Sequence, residues 1–158
     1  MKEIFIGIDF SKEKIDVSVV NSDMMEQIGY NVFPNDLSGY ENMLEWIGTL
    51  TDIPNEKWQF CGENTGIYCQ LLCNYLSTEK LSIWLENSLQ IKRSLGIVRL
   101  KNDKMDSLQI AKYAVRFQDK VQKYIPNNSI LDALQELLAY RNRLITVKNM
   151  LIAPTKER

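Results

Sequence analysis

The sequence contains no histidine, and this absence excludes several kinds of catalytic chemistry. Histidine is the commonest general base, and the Ser/His and Cys/His nucleophile pairs both require it. The three cysteines, Cys61, Cys69 and Cys73, form no CxxC pair, so a zinc site is not expected and small buried thiols are. Any catalysis must therefore depend on carboxylates, lysines or a metal ion with oxygen ligands.

Long apolar runs are also lacking. No apolar run approaches the roughly 18 residues of a membrane span, and the N-terminal apolar stretch is too short for a secretory signal. We therefore expect a cytoplasmic protein with no membrane partner. The chain has 158 residues, of which 45% are hydrophobic and 25% charged, which is typical of one globular domain with a hydrophobic core.

The apolar pattern predicts an α/β fold with the element order βββαβαβ. Three β-branched stretches joined by short polar turns predict an antiparallel meander. Helical spacing of apolar residues then separates two further buried strands, so the first strand should lie parallel to the fourth in a mixed sheet. The predicted strands are 3–9, 15–20, 27–33, 58–62 and 81–85. The first predicted helix begins near Leu37. Three further helices are predicted over 65–78, 87–95 and 103–117.

A last, long amphipathic helix is predicted from about Ile130 to Leu151. Its wide apolar stripe is interrupted by Arg141 and Lys148. The stripe favours either packing against the rest of the chain or contact with a second copy in a homodimer or higher oligomer. We therefore divide the chain into a domain of residues 1–125 and a helical segment of residues 126–158, which is a possible coiled coil.

Four carboxylates are predicted to share one site. Asp9 ends the first strand and Glu63 ends the fourth, so the two should meet at the carboxyl edge of the sheet. Asp103 and Asp106 are three residues apart and share one face of a first helical turn. Each acid alone has a simpler explanation as a turn or helix cap, but the four together favour a site for Mg²⁺ or Mn²⁺, which prefer oxygen ligands.

Positive charge is concentrated next to two of these acids. Residues 92–123, here called the basic segment, contain nine Lys and Arg against three Asp and Glu, whereas residues 1–91 contain five against fourteen. This distribution favours an anionic polymer held by the bases and acted on at the acids, although a solvated helix face of mixed charge is the alternative. The candidate nucleic-acid ligands are Lys92, Arg93, Arg99, Lys101, Lys104 and Lys112.

Other polar and aromatic residues have simpler interpretations. Asp16 alternates with Ile15 and Val17 and is expected to face solvent rather than to bind a metal. The three tryptophans are expected in or beside the core rather than as stacking platforms for bases. They are Trp46, Trp58 and Trp84.

Four segments around and after the acids form a recognisable set of motifs: GIDFSK (7–12), GENTGIY (62–68), KNDKMDSLQIAKYA (101–114) and LQELLAYRNRLI (134–145). Together they resemble the motifs of the DEDD transposase family of bacterial insertion sequences. Three departures are modest. Asn102 replaces a usual threonine, Ser107 replaces a usual alanine, and Asn87-Ser88 replaces a common Asn-Pro step.

The resemblance implies a RuvC-like domain of the RNase H-like fold over residues 1–125, with Asp9, Glu63, Asp103 and Asp106 as catalytic, Mg²⁺-binding acids. It also implies DNA as substrate, a structured bridge RNA as guide, and a separate C-terminal domain that supplies a serine nucleophile. That domain is absent from this sequence, so we expect metal and nucleic-acid binding without complete strand exchange.

Three other functions are compatible with the same residues. A stand-alone nuclease resembling Holliday-junction resolvases would use the four acids to activate water. A non-catalytic nucleic-acid-binding module would depend on the basic segment alone. The first hairpin also resembles that of actin-like sugar kinases, but the further glycine-rich phosphate loops of those enzymes are missing.

Overall fold

A computed structural model describes residues 1–95, 103–126 and 129–152. The chain divides into two compact units, Met1–Ile125 and Pro126–Arg158. The first unit contains a five-stranded sheet flanked by helices, and the second contains a long helix. Among the described residues, no helix has the length and hydrophobicity of a transmembrane segment.

The observed elements follow the predicted order βββαβαβ, with further helices after the last strand. The strands are β1 (Ile4–Phe10), β2 (Lys14–Asn21), β3 (Glu26–Pro34), β4 (Trp58–Glu63) and β5 (Ile83–Glu86). The helices are α1 (Leu37–Leu50), α2 (Ile67–Thr78), α3 (Ser88–Leu95), α4 (Asp103–Arg116) and α5 (Ser129–Ile152). Short 3-10 turns lie at Asn55–Lys57 and Gln118–Lys120.

The sheet is mixed, as predicted, with the strand order β3-β2-β1-β4-β5. β1, β2 and β3 form an antiparallel meander, while β4 runs parallel to both β1 and β5. In the parallel register Ile8 pairs with Gly62, so the next residues, Asp9 and Glu63, lie side by side where the two strands end. Parallel strands reached through helices produce this shared carboxyl edge.

The two faces of the sheet are covered by different helices because successive strand residues point to opposite sides. Ile4, Ile6 and Ile8 of β1 are fully buried in a core completed by side chains of α1 and α2. Phe5 points the other way and is buried with side chains of α4, including Ala111. Both faces are therefore apolar along β1. Asp9, four residues after Phe5, points to the same side of the sheet as Phe5, the side that α4 covers.

A glycine on β1 allows α4 to lie directly on the strand. A Cβ added to Gly7 would stand 2.1 Å from the carbonyl oxygen of Ser107 and 2.3 Å from the amide nitrogen of Ala111. Both contacts are with helix backbone, which cannot move aside as a side chain can. The absence of a side chain at Gly7 is therefore what permits the close approach of α4 to the end of β1.

The prediction that Asp16 faces solvent is wrong. Asp16 is 2% exposed and lies on the α4 face of β2, directly opposite Asp9 in the antiparallel register. Its carboxylate is stabilised there because it accepts a hydrogen bond of 2.6 Å from the Tyr30 hydroxyl and pairs with Lys14. Alternation correctly separates Asp16 from Ile15 and Val17, but it cannot tell that α4 covers this side of the sheet as well.

Smaller features agree with the sequence or differ by a few residues. α2 begins at Ile67 rather than Thr65, because Gly66 adopts a positive φ of 70° that no regular helix tolerates. Trp58 and Trp84 are buried, and Trp46 packs against the core. The three cysteines are free and buried, as expected.

Candidate functional site

All four predicted acids line one pocket of about 270 Å³ at the carboxyl edge of the sheet. β1 and β4 supply two of them, and the first turn of α4 supplies the other two. The described residues that line it are Asp9, Glu63, Ile91, Lys92, Asp103, Asp106 and Gln109.

Strand alternation explains why Asp9 and Glu63 point towards α4. Phe5 of β1 and Cys61 of β4 are both buried in the core beneath α4. Residues two or four positions further along a strand point to the same side, which brings Asp9 and Glu63 to this face at the strand ends. An acid at a strand end can remain partly hydrated while its neighbours in the strand are buried.

The α4 acids reach the same place because the helix begins above the strand ends. Asp103 and Asp106 lie in its first turn, where negative charge is favoured by the helix dipole. One turn later, Ser107 is fully buried, and its hydroxyl is 2.8 Å from that of Ser18 on β2. This buried contact and the close packing at Gly7 fix the start of α4 against the sheet.

The grouping of acids changes the protonation of Asp9. Its pKa is raised to about 6, first by burial and then by the nearby charges of Asp106, Glu63 and Asp103. Negative charge gathered at low hydration disfavours a further carboxylate, so the site favours the uptake of a proton or a cation. This repulsion indicates that the four carboxylates are electrostatically coupled.

Asp103 has the opposite shift because it has a cation of its own. The Nζ of Lys14 lies 2.7 Å from Asp103 and 2.9 Å from Asp16, and its hydrogen bond holds the pKa of Asp103 below the usual range. Asp103 remains largely exposed, with 58% of its side chain accessible.

The donor chemistry of the pocket fits a hard divalent cation. Its acids offer carboxylate oxygens, with no described sulfur or nitrogen ligand among them apart from the Lys92 amine and the Gln109 amide. Within residues 1–95, 103–126 and 129–152, no three acid or cysteine side chains already have the spacing that holds a metal ion. The acids share a pocket, and closing them around an ion requires side-chain rotation.

Of the six basic candidates, Lys92 is the one among the described residues that lines this pocket. It is exposed, and Arg93, also exposed, lines a neighbouring cavity of about 500 Å³. Lys104 is exposed and stands over the ring of Tyr30, with its Nζ 5.2 Å from the ring centroid. Lys112 is partly buried on α4. Arg99 and Lys101 lie outside the described residues.

Two residues next to the acids are missing from the sequence-based prediction. Lys14 bridges Asp103 to Asp16, and Gln109 lines the pocket one turn after Asp106. The short turn between β1 and β2 could have identified Lys14. This turn sets the register that places Asp16 opposite Asp9, and Lys14 lies two residues before Asp16 on the same strand. Gln109 lies three residues after Asp106 on the same helix face, so the helical period could have identified it.

Solved structures share the fold of this chain. A structure of RuvC from Thermus thermophilus in complex with Holliday junction substrate matches 77% of this chain and 99% of its own, with a TM-score of 0.52 and 12% identity. Another structure of Thermus thermophilus RuvC matches with the same coverage and identity and a TM-score of 0.53. The sheet and its helices are therefore RuvC-like, as predicted.

Sequence comparison identifies the family. No curated protein sequence matches the chain. The family model of DEDD transposases of the IS110 type, described as transposase, matches residues 6–152, which include all four acids and α5 through its last residue. This match covers nearly the whole sequence, and the chain belongs to the DEDD transposase family.

Proposed function

We propose that Asp9, Glu63, Asp103 and Asp106 are the catalytic acids of a metal-dependent domain that cleaves and transfers DNA strands. The observation that carries the proposal is the single pocket in which acids from β1, β4 and α4 meet. The family and the RuvC-like fold support the same reaction class. A domain of this kind acts in the cytoplasm of bacteria, where insertion sequences and their DNA targets are found together.

The acids would hold Mg²⁺ or Mn²⁺, which when bound polarises the scissile phosphate and makes a nucleophilic oxygen easier to deprotonate. Burial and the neighbouring acids raise the pKa of Asp9 to about 6, and a bound cation would favour its charged form. Lys92 stands at the wall of the same pocket and would neutralise a phosphate of the bound strand. The exposed Arg93 next to it would extend that contact along the backbone.

A structured bridge RNA is the second nucleic-acid partner in this proposal. The exposed cations of α3 and α4 support binding of a phosphate backbone, which is shared by DNA and RNA. Direct binding of a structured RNA that is weakened by alanine at Lys92 and Arg93, and not by Lys57→Ala, would support this assignment.

Complete strand exchange would require a serine nucleophile from another domain. The described residues that line the acid pocket include no serine, and the acids alone can activate only a water molecule or a hydroxyl brought to them. Hydrolysis of a branched DNA in the manner of a resolvase is therefore the second candidate function. The fold shared with a RuvC bound to Holliday junction substrate favours it.

A cleavage assay separates these functions. Labelled linear and branched DNA would be incubated with the protein and Mg²⁺ or Mn²⁺, alongside Asp9→Asn and the remote control Asp52→Asn. Hydrolysis that is lost only in Asp9→Asn supports the acid site and the resolvase-like reaction. A different result would show that the protein is only a binding module. In that case it binds nucleic acid equally well with or without metal and with or without Asp9→Asn, and it cleaves none of the DNAs.

α5 is the proposed contact between copies of the chain. Leu137, Leu144 and Leu151 recur every seven residues and are 66%, 53% and 70% exposed. A seven-residue repeat of leucine is typical of a coiled coil, and the 24-residue helix is about 36 Å long. Residues 126–158 would thus form a dimerisation element, in addition to the catalytic domain of residues 1–125.

The oligomeric state tests this contact. Leu144→Asp places a charge within the repeat and is expected to shift the mass measured by light scattering towards the monomer. Asn142→Asp, on the opposite side of the helix, adds the same charge outside the repeat and should leave the mass unchanged. A monomeric wild type, or a dimer indifferent to Leu144→Asp, would contradict the proposal.

A further inference from the structure

Lys14 forms ion pairs with one acid of the candidate pocket and with the buried Asp16. It lies at the start of β2, where its backbone carbonyl accepts hydrogen bonds from both the amide and the hydroxyl of Ser11. The tight turn therefore fixes its Cα. From there the side chain reaches 2.9 Å from Asp16 and 2.7 Å from Asp103, so one ammonium bridges a buried acid of the sheet and an exposed acid of α4.

The two acids differ in their freedom to move. The side chain of Asp16 is 3% exposed, and one of its oxygens is held by the hydroxyl of Tyr30, whereas the other faces Lys14. The side chain of Asp103 is 58% exposed, and Lys14 is its ion-pair partner among the described residues. Asp16 is thus the fixed end of the bridge, and Asp103 is the end that can be released.

The bridge places a positive charge on an acid that lines the candidate metal pocket. The oxygen that Lys14 contacts, Oδ2 of Asp103, would be a ligand for an incoming cation. An ammonium and a divalent cation carry charge of the same sign, so the Lys14 ammonium, 2.7 Å from Oδ2, repels a cation that approaches this carboxylate and competes with it for the negative charge.

We propose that Lys14 is a built-in competitor of the metal: it holds Asp103 in the metal-free protein and must release it when the cation binds. This inference rests on the proposed metal site. Lys14 is a positioning residue here, since it acts through Asp103 and not on the substrate. The buried Asp16 retains the ammonium after release, because Asp16 keeps its contact with Tyr30.

The proposal predicts that removing the bridge makes cation binding tighter, whereas damage to the site would make it weaker. Lys14→Met alone also changes the net charge and leaves Asp16 buried without a cation. The double variant Lys14→Met/Asp16→Asn corrects both, because the asparagine keeps an oxygen for Tyr30 and the net charge stays as in the wild type. Loss of one exposed ion pair corresponds to an affinity change of up to about fivefold.

Three further variants serve as controls. Lys14→Arg retains the positive charge and the reach to both acids. Lys57→Met removes a lysine from an ion pair with Glu3, away from the pocket, and controls for net charge. Asp9→Asn removes a pocket acid and tests whether the cation binds there at all.

The experiment is a calorimetric titration of each full-length variant with Mn²⁺, accompanied by melting temperatures without metal. We expect the double variant to bind Mn²⁺ more tightly than the wild type, by up to about fivefold, while Lys14→Arg and Lys57→Met bind as the wild type does. Without metal, Lys14→Met should melt at a lower temperature than the wild type. Addition of Mn²⁺ should raise the melting temperature of Lys14→Met by more than it raises that of Lys57→Met.

Two different results overturn two different statements. If Asp9→Asn abolishes Mn²⁺ binding but the double variant binds like the wild type or more weakly, the metal site stands and the role of Lys14 is wrong. If Mn²⁺ binding is absent from the wild type or unaffected by Asp9→Asn, the proposed site itself is wrong, and the inference about Lys14 is overturned with it.

Discussion

Replacement of Gly7 by alanine tests how the acid pocket is assembled. The added methyl group would stand 2.1 Å from the carbonyl oxygen of Ser107 and 2.3 Å from the amide nitrogen of Ala111, where ordinary contact distances are 3.4–4 Å. Relief requires α4 to move by more than about 1 Å, because both contacts are with backbone. Overpacking of this kind costs about 1–3 kcal/mol, and the fixed neighbours place Gly7→Ala at the upper end of that range.

Gly48→Ala is a matched control for the same chemical change. Gly48 lies within α1, and a Cβ added there meets nothing within 4 Å among the described residues. Alanine is the better helix former, so this variant should be more stable than the wild type by up to about 1 kcal/mol. The two substitutions therefore shift the free energy of unfolding in opposite directions.

Urea denaturation followed by circular dichroism measures both shifts. Gly7→Ala should also weaken the increase in melting temperature produced by Mg²⁺, since a displaced α4 carries Asp103 and Asp106 away from the strand ends. A Gly7→Ala protein as stable as the wild type, with the same response to Mg²⁺, would refute the argument that the close approach of α4 to β1 builds the site.

Three other perturbations have defined outcomes. The pKa of Asp9 is raised to about 6 in the folded protein, so without divalent metal the wild type should lose stability as the pH rises from about 4 to about 6. Because solvent screens this partly exposed carboxylate, the loss should be well below the roughly 3 kcal/mol of the full shift. Asp9→Asn should lack this loss. If the free energy of unfolding depends on pH in the same way for both proteins, the pKa of Asp9 is not raised. Mg²⁺ or Mn²⁺ should raise the melting temperature of the wild type more than that of Asp106→Asn, because the cation relieves repulsion among the acids, and equal increases would argue against a shared site. Replacing Lys92 and Arg93 by alanine should weaken DNA binding and reduce the slope of log affinity against log salt concentration by about one for each phosphate that is no longer neutralised. Lys57→Ala should leave this slope unchanged. An unchanged slope in the Lys92 and Arg93 variant would mean that this face only contacts solvent.

Much of the fold follows from local patterns in the sequence. Runs of β-branched residues end at polar turns, and the spacing of Tyr40, Met43 and Ile47 is helical and buried as a set. These patterns depend on periods of about two and about 3.6 residues, which are properties of the backbone itself. The parallel pairing of β1 with β4 follows in turn from the helix between them, and the register then brings Asp9 beside Glu63.

The surroundings of the acids could not be predicted in this way. Whether Asp16 is buried depends on a helix that begins only at Asp103, and its hydrogen bond to Tyr30 depends on the pairing of β2 with β3. The ion pair between Lys14 and Asp103 joins residues 89 positions apart. No local period contains such a contact, because it depends on where α4 packs.

The sequence by itself determined the order of the elements, the identity of the four acids and the concentration of positive charge near two of them, because each of these is written in local composition and spacing. The tertiary structure alone decided what surrounds these acids: Gly7 lets α4 lie directly on β1, α4 buries Asp16, and Lys14 pairs with Asp103. Those features arise from contacts between distant segments, and their energies depend on burial and distance, which only the packed chain defines.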